Sequence, residues 1–196
     1  MNTDHHSSRH AFLLWFAMVA VVVCILPTEV FADVEPEFVV RSAGTVLVDK
    51  VYQLNANIHY RFSDEALDAL DNGVPLVVEL AINIERKRDY VWNETVASLR
   101  QRYELSYEAL TQRYVVTNLN SGADNYYGSR ATAIDALGNV SHLPILDAGL
   151  LSPDEHYIVN LQTSLALDAL PVPMRVLGYF SSNWRISSEW VSWPLQ

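Results

Sequence analysis

Residues 52–62 alternate between apolar and polar side chains without a break, and this pattern restricts the fold more than any other feature. The apolar members share every second position: Tyr52, Leu54, Ala56, Ile58, Tyr60 and Phe62. The polar members lie between them: Gln53, Asn55, Asn57, His59 and Arg61. Because successive side chains of a β-strand point to opposite faces, the pattern predicts a strand with one buried and one solvated face. Such strands belong in antiparallel sheets that cover a core on one side.

Similar apolar runs recur along the chain and predict about seven or eight strands with short connections. The predicted strands lie within 38–51, 52–62, 76–85, 99–107, 113–119, 157–165 and 184–190. Two short helices are predicted at 64–70 and 129–137, with Ser63 and Ser129 as their N-caps. Since helices do not alternate regularly with strands, a parallel α/β sheet is not expected. We predict a mainly β fold, an antiparallel two-layer β-sandwich that is immunoglobulin-like or similar, with a closed barrel as the alternative.

An apolar segment near the N-terminus predicts where the domain works. Residues 11–26 are sixteen consecutive apolar residues, they follow a lead that contains Arg9, and Pro27 comes directly after them. A basic lead, an apolar centre and small residues before a cleavage point are typical of a secretory signal peptide. A membrane-spanning helix needs about 20 apolar residues, so this segment is short for one. The order of these features favours cleavage after Ala32.

The predicted organisation is therefore a signal peptide at 1–32 and a single β-rich extracytoplasmic domain at 33–196. The expected location is the periplasm, because a domain without cysteine suits that compartment better than a eukaryotic exterior. The alternative is an uncleaved anchor, which would leave a periplasmic domain attached to the inner membrane. In that case the only membrane contact expected is through residues 11–26.

Charge and cysteine content exclude several classes of function for residues 33–196. Once Arg9, Asp4 and Glu29 are removed with the signal, 12 of 13 basic and 21 of 23 acidic residues remain, a formal charge of −9. This excess argues against binding to nucleic acid or to an anionic membrane surface. Cys24 is the only cysteine. The domain therefore has no disulfide, no thiolate metal site and no cysteine nucleophile.

No spacing of reactive residues indicates catalysis. The domain's histidines are His59, His142 and His156, and no two of them have the spacing that brings two imidazoles to one metal ion. A Gly-x-Ser-x-Gly motif and a glycine-rich phosphate loop are also missing from the sequence. We therefore predict a protein that is not an enzyme, with no catalytic, metal-binding or cofactor-binding residue and no cofactor.

The aromatic residues are the remaining candidates for a binding surface. Four of them form the predicted interaction surface: Trp92, Tyr126, Tyr127 and Trp190. Tyr126 and Tyr127 are the best candidates, because they lie between Asn125 and Gly128 in what we expect to be a loop. Packing of the aromatic residues in the core or on the sheet is the competing interpretation. An exposed aromatic surface would suit a sugar, a peptide or a partner protein.

Several short stretches carry a resemblance to a known family. They are the Tyr-x-Leu-x-Ala-x-Ile strand at 52–58, Glu65-Ala66-Leu67, the run from Asn72 to Leu76, Leu105-Ser106-Tyr107 with Tyr114, the run from Leu170 to Pro173, and the run from Asn183 to Trp190. In these the chain resembles the bacterial family known as domain of unknown function 4390. The resemblance implies an exported or membrane-anchored proteobacterial protein, and it brings no catalytic residue.

Three functions from different classes remain open. The first is a non-enzymatic interaction or binding module of the cell envelope, whose partner is expected to be another envelope protein. The second is a carrier that holds a small apolar ligand inside the sandwich or barrel. The third is an envelope hydrolase, which would need two carboxylates in one cleft or a serine within hydrogen-bond reach of a histidine.

Native mass spectrometry of the protein, purified gently from its own cell envelope, tests both the cleavage and the carrier hypothesis. We expect the mass of a chain whose first residue is Asp33, with no adduct bound. A bound mass of a few hundred daltons would favour the carrier. A mass that includes residues 1–32 would contradict cleavage and favour the anchor.

Overall fold

The computed structural model of the chain describes residues 35–88 and 91–195. In chain order the strands are β1 (Glu37–Val48), β2 (Val51–Arg61), β3 (Leu76–Arg86), β4 (Glu94–Glu108), β5 (Arg113–Asn118), β6 (Ala123–Tyr127), β7 (Asn139–Asp147), β8 (Tyr157–Leu165) and β9 (Val191–Pro194). The α-helices are α1 (Asp64–Asp71), α2 (Arg130–Leu137) and α3 (Val172–Phe180), and Ala148–Leu150 and Leu167–Ala169 form single 3₁₀ turns. The predicted signal peptide lies outside the described residues.

The strands form two antiparallel sheets, as predicted. One sheet has three strands in the order β1-β2-β7, and the other has six in the order β6-β5-β4-β3-β8-β9. The alternating strand predicted at 52–62 is β2, in the centre of the smaller sheet. A two-residue turn at Asp49 and Lys50, both with positive φ, joins β1 to β2 and suits the right-handed twist of a hairpin.

Side chains from both sheets meet in one apolar core. The smaller sheet contributes Leu54 and Ile58, and the larger contributes Leu80, Ile82 and Leu161, all of them buried. These residues face inward because they occupy alternate positions of their strands. Burial of these large aliphatic side chains is the main favourable term in the stability of the domain.

One hydrogen bond crosses this apolar core between the sheets. The hydroxyl oxygens of Tyr60, on β2, and Thr163, on β8, are 3.1 Å apart, and both residues are buried. Because an unpaired hydroxyl would be costly there, each side chain needs the other. Burial raises the pKa of the Tyr60 hydroxyl well above its ordinary value, so it stays neutral and can donate.

The strand β3 lies at the centre of the larger sheet, and one acidic residue on its outer face organises the neighbouring strands. Glu79 is buried, and its two carboxylate oxygens accept from Arg100 Nη1 and Arg102 Nε, each at 2.7 Å. Arg102 Nη2 also donates to Asp168 Oδ2 at 2.9 Å. The hydrogen bonds to Glu79 and Asp168 raise the pKa of Arg102. The alternation at 76–85 and 99–107 predicts that Arg100 and Arg102 oppose Glu79 or Glu85 across a hairpin, and the structure pairs both arginines with Glu79.

Both predicted helices are present with their predicted caps. Ser63 Oγ accepts from Ala66 N at 3.2 Å at the start of α1, and Ser129 Oγ accepts from Thr132 N at 3.3 Å at the start of α2. Each cap satisfies a backbone N–H that the first turn leaves free. The C-terminal end of α2 lies against β2, where Ile58 N donates to Gly138 O at 2.8 Å.

Three local predictions were wrong. The prolines at 171 and 173 predict a break between strands, but the chain after Leu170 forms the helix α3. A proline in the first turn of a helix loses no helical hydrogen bond. The last strand is β9, not residues 184–190, which make only the isolated bridge between Ser164 and Ser187. Buried Trp184 and Ile186 produced the strand-like pattern. The run Ser152–Glu155 has the pattern of a capping box with proline at the first helical position, which predicts a helical turn, but it forms a non-helical turn.

Gly138 is the position where the contact between α2 and β2 leaves no room for a side chain. Its φ of −77° suits any residue, but a Cβ there would collide with the carbonyl oxygen of Ile58. We expect Gly138→Ala to lower the free energy of unfolding by about 2 kcal/mol, a typical cost of overpacking. A Cβ at Gly128 would meet no atom within 4 Å. The control Gly128→Ala should therefore change the free energy of unfolding by less than about 0.5 kcal/mol. Urea denaturation measures both variants, and equal urea midpoints would contradict the packing described at Gly138.

Candidate interaction surfaces

The helix α3 is held against the domain by one face. The N–H groups of Met174 and Arg175 donate to Pro171 O, at 2.9 and 3.0 Å, and close the first turn of the helix. Gly178 is buried, and a Cβ there would touch Leu170, Leu167 and Trp184 at 3.4 to 3.7 Å. The side of the helix that carries Gly178 therefore packs against the chain around it.

The other face of α3 is apolar and exposed. Four of its side chains make up what we call the α3 patch: Val172, Val176, Tyr179 and Phe180. Their spacing of i, i+4, i+7 and i+8 places them on one side of an α-helix. Val172 is 70% exposed and Phe180 is 86% exposed. Contiguous apolar surface of this kind on a monomer often marks an interaction site.

Acidic side chains lie beside the α3 patch. Asn183, three residues after Phe180, donates from Nδ2 to Glu65 Oε1 at 2.6 Å, so the end of α3 lies next to the start of α1. Asp64, Glu65 and Asp68 are exposed on α1. Among the described residues, none of these three carboxylates takes part in an ion pair. They give α1 a negative charge on the side where Glu65 contacts Asn183.

Basic groups near the α3 patch offset only part of this charge. Arg175, on the helix itself, is half-buried and donates from Nη2 to Leu170 O at 3.1 Å. Arg185 is exposed in the turn that follows. The surface is thus an apolar centre with an acidic margin.

The structure does not bring the four predicted aromatic residues together. Tyr126 is about half exposed on β6, at one edge of the larger sheet, while Trp190 lies directly before β9, at the opposite edge. Trp92 is 94% exposed and belongs to the connection between β3 and β4. Tyr126 and Tyr127 are not in a loop, as the sequence suggested, because they pair with Val115 and Tyr114 as the end of an edge strand.

Tyr127 faces the inside of the sandwich and borders a hollow that we call the β6–α2 groove. The hollow has a volume of about 230 Å³ and lies between the inner face of β4, β5 and β6 and the end of α2. Its lining includes Tyr103, Val116, Asn125, Tyr127, Ala136 and Leu137. Burial raises the pKa of Tyr103, whose ring forms part of the floor. Because the smaller sheet has only three strands, α2 covers this end of the larger sheet.

Two other depressions are more open. One, of about 420 Å³, lies on the smaller sheet and is lined by Asn55, Asn57 and Asn139 among others. The other, of about 480 Å³, lies beside Arg86 and Arg88. Glu94 bonds to both of these arginines, and Arg86 lies 3.5 Å from Glu155. These carboxylates offset the charge of the two arginines, while Lys87 in the same lining is in no ion pair among the described residues.

The histidines are dispersed over the surface. His59 is half-buried on the outer face of β2, and His142 and His156 are exposed on later segments. Within 35–88 and 91–195, no three histidine, cysteine or acidic side chains are close enough to hold a metal ion. In the same residues, no helix has the length and hydropathy needed to cross a bilayer. None of the three depressions above has a histidine in its lining.

Residues 35–194 match the family model described as domain of unknown function DUF4390. The chain belongs to the DUF4390 family. The match confirms the resemblance seen in the short sequence stretches and covers the whole of both sheets. No curated protein and no solved structure matches this DUF4390 chain.

Sequence reasoning missed the α3 patch. A sequence pattern for it was present, because the apolar residues at 172, 176, 179 and 180 have the spacing of one helix face. The four residues were overlooked because Pro171 and Pro173 suggested an extended break between strands. In this DUF4390 domain the prolines stand at the start of a helix instead.

Proposed function

We propose that this DUF4390 protein is a non-enzymatic interaction module of the cell envelope and that it binds another protein through the α3 patch. The observation that carries the proposal is the exposed apolar face of α3. Keeping Val172, Val176, Tyr179 and Phe180 in water is unfavourable by about 25 cal/mol for each Å² of apolar surface. Covering that face with a partner would recover this free energy.

The partner proposed is a protein with an apolar groove and a basic rim. An amphipathic helix binds such grooves through anchors at i, i+4 and i+7 or i+8, which is the spacing of the α3 patch. Asp64, Glu65 and Asp68 lie on one side of the patch without ion-pair partners among the described residues. Lysine or arginine on the partner's rim would complement these carboxylates and speed association.

Neither of the other two functions has comparable support. The space between the sheets is filled by fully buried side chains such as Leu80, Ile82 and Leu161, which does not favour a carrier with an internal ligand site. Reactive side chains are dispersed, which does not favour a hydrolase. Location in the envelope rests on residues 11–26 and on their interpretation as a signal or an anchor.

Site-specific photo-cross-linking in the native host tests the proposal. A benzophenone amino acid is placed at Phe180 of the full chain, and a matched probe is placed at Leu110, which is fully exposed in the turn between β4 and β5. We expect one defined protein adduct from position 180 and none from position 110. Adding Val176→Asp should reduce the yield at least tenfold, because a charge in the patch opposes its burial. The matched Leu110→Asp should leave it unchanged.

The charge of the partner is tested with the purified pair. Replacing Asp64 and Asp68 by lysine should weaken binding about tenfold, and rising salt should weaken binding to the unsubstituted chain, because the charges are exposed. An adduct with lipid, an adduct with a second copy of the chain, equal adducts from both probe positions, or no adduct would each contradict the proposal. Tighter binding by the lysine variant would contradict the basic rim.

A further inference from the structure

The strand β6 gives the domain a second feature, separate from the α3 patch. It is the last strand of the larger sheet, and within 35–88 and 91–195 no strand pairs with its outer edge. Residues 123–126 are exposed. Every second backbone N–H and C=O of an edge strand points away from the sheet and is free to pair with another extended chain.

The β6–α2 groove lies directly inside this edge. Ala123, Asn125 and Tyr127 occupy alternate positions of β6 and line the groove, while Ala136 and Leu137 line it from the helix. A chain that paired with β6 would also send every second side chain to this side of the sheet. The edge therefore lies beside a hollow that can receive one side chain of an added strand.

The volume of the hollow indicates that it receives a single side chain and not a whole small molecule. Sites for small molecules typically have volumes of about 300–1,000 Å³. The hollow of about 230 Å³ lies below that range. Val116, Ala136, Leu137 and Val140 form the apolar part of the lining, and asparagine amides lie beside it. An aliphatic side chain would contact this apolar part.

The charges around the groove indicate what flanks that side chain. Asp124 is exposed on the face of β6 opposite to the groove, because it alternates with Asn125, and Asp135 is exposed on α2 next to Ala136. The side chains of an added strand would also alternate between these two faces. Among the described residues neither carboxylate is in an ion pair, and Asp124 accepts only from Thr117 Oγ1, at 2.6 Å. Arg130, the basic residue of α2, is already paired with Asp71 at 2.6 Å. The rim of the groove on the side of α2, and the outer face of β6 beside it, therefore carry negative charge.

We propose that β6 and the β6–α2 groove bind an extended peptide segment of a partner protein by strand addition. The segment pairs with the outer edge of β6, inserts one aliphatic side chain into the hollow, and carries lysine or arginine beside it. Main-chain hydrogen bonds supply affinity in this mode, and the hollow and the rim supply specificity. The inference does not rest on the role proposed for the α3 patch, which lies elsewhere and is tested by a different probe.

Fluorescence anisotropy with a synthetic peptide tests the inference. The probe is a labelled nine-residue peptide of sequence Thr-Lys-Val-Lys-Leu-Lys-Val-Lys-Thr, which places its aliphatic side chains on one face of a strand. It is titrated with the full chain in mild detergent. We expect saturable binding, and at least tenfold weaker binding of the same peptide with N-methylated backbone amides. Equal binding of both peptides, or no binding, would overturn the inference.

Substitutions at two alanines of α2 test whether the peptide binds at the β6–α2 groove. Ala136→Phe fills the groove and should weaken peptide binding at least tenfold. Ala131→Phe adds the same ring to an exposed position of the same helix and should change peptide binding less than twofold. Asp135→Lys, a surface change that does not depend on repacking, should weaken binding several-fold, and Asp154→Lys at another exposed site should not. Equal effects within either pair would overturn the site. Cross-linking of β6 to β6 between copies, in place of peptide binding, would show that the edge serves dimerisation instead.

Discussion

The burial of β3 on both of its faces is the constraint on which the rest of the domain depends. Its inner face carries Leu76, Val78, Leu80, Ile82 and Ile84, which are fully buried in the core between the sheets. Its outer face carries Val77 and Glu79, which are also buried. A buried carboxylate is stable only with compensating partners. Glu79 therefore depends on Arg100 and Arg102 of β4, which the register of β3 with β4 places beside it.

The same pairing connects the centre of the sheet to the proposed binding helix. Arg102 also bonds to Asp168, in the turn that leads from β8 toward α3. Ala166 N donates to Val77 O at 2.8 Å, which attaches the start of that turn to β3. The segment before α3 is thus held to the most buried strand. A helix supported in this way can expose an apolar face without losing its position.

The sequence predicted the parts of the structure that burial alone determines. The strand at 52–62 was recognisable because its inner residues enter the core and its outer residues meet water, and both helices were recognisable because Ser63 and Ser129 cap them. Strand order could not be predicted, because alternation shows which face is buried and not which strand is the neighbour. Pairings such as β3 with β8 depend on contacts that are distant in sequence.

The candidate sites were harder to predict than the fold. The sequence predicted one surface of exposed aromatic residues, but Trp92, Tyr126 and Trp190 lie in different parts of the structure. The α3 patch depends on which face of a helix packs inward, and in the structure that face is the one with buried Gly178, next to Leu167 and Trp184. The β6–α2 groove depends on the three-stranded sheet being too narrow to cover the six-stranded one. Neither condition is visible in a local sequence pattern.

Hydrogen exchange measured on the protein in isolated cell envelopes and on the purified protein tests most directly the claim that this domain is an interaction module. Backbone amides in 172–180 and 123–127 should exchange more slowly in the envelope, because partners cover α3 and pair with β6. Amides in the turn at 109–112 should exchange at the same rate in both samples. Equal exchange at 172–180 and at 123–127 in the two samples would contradict the claim.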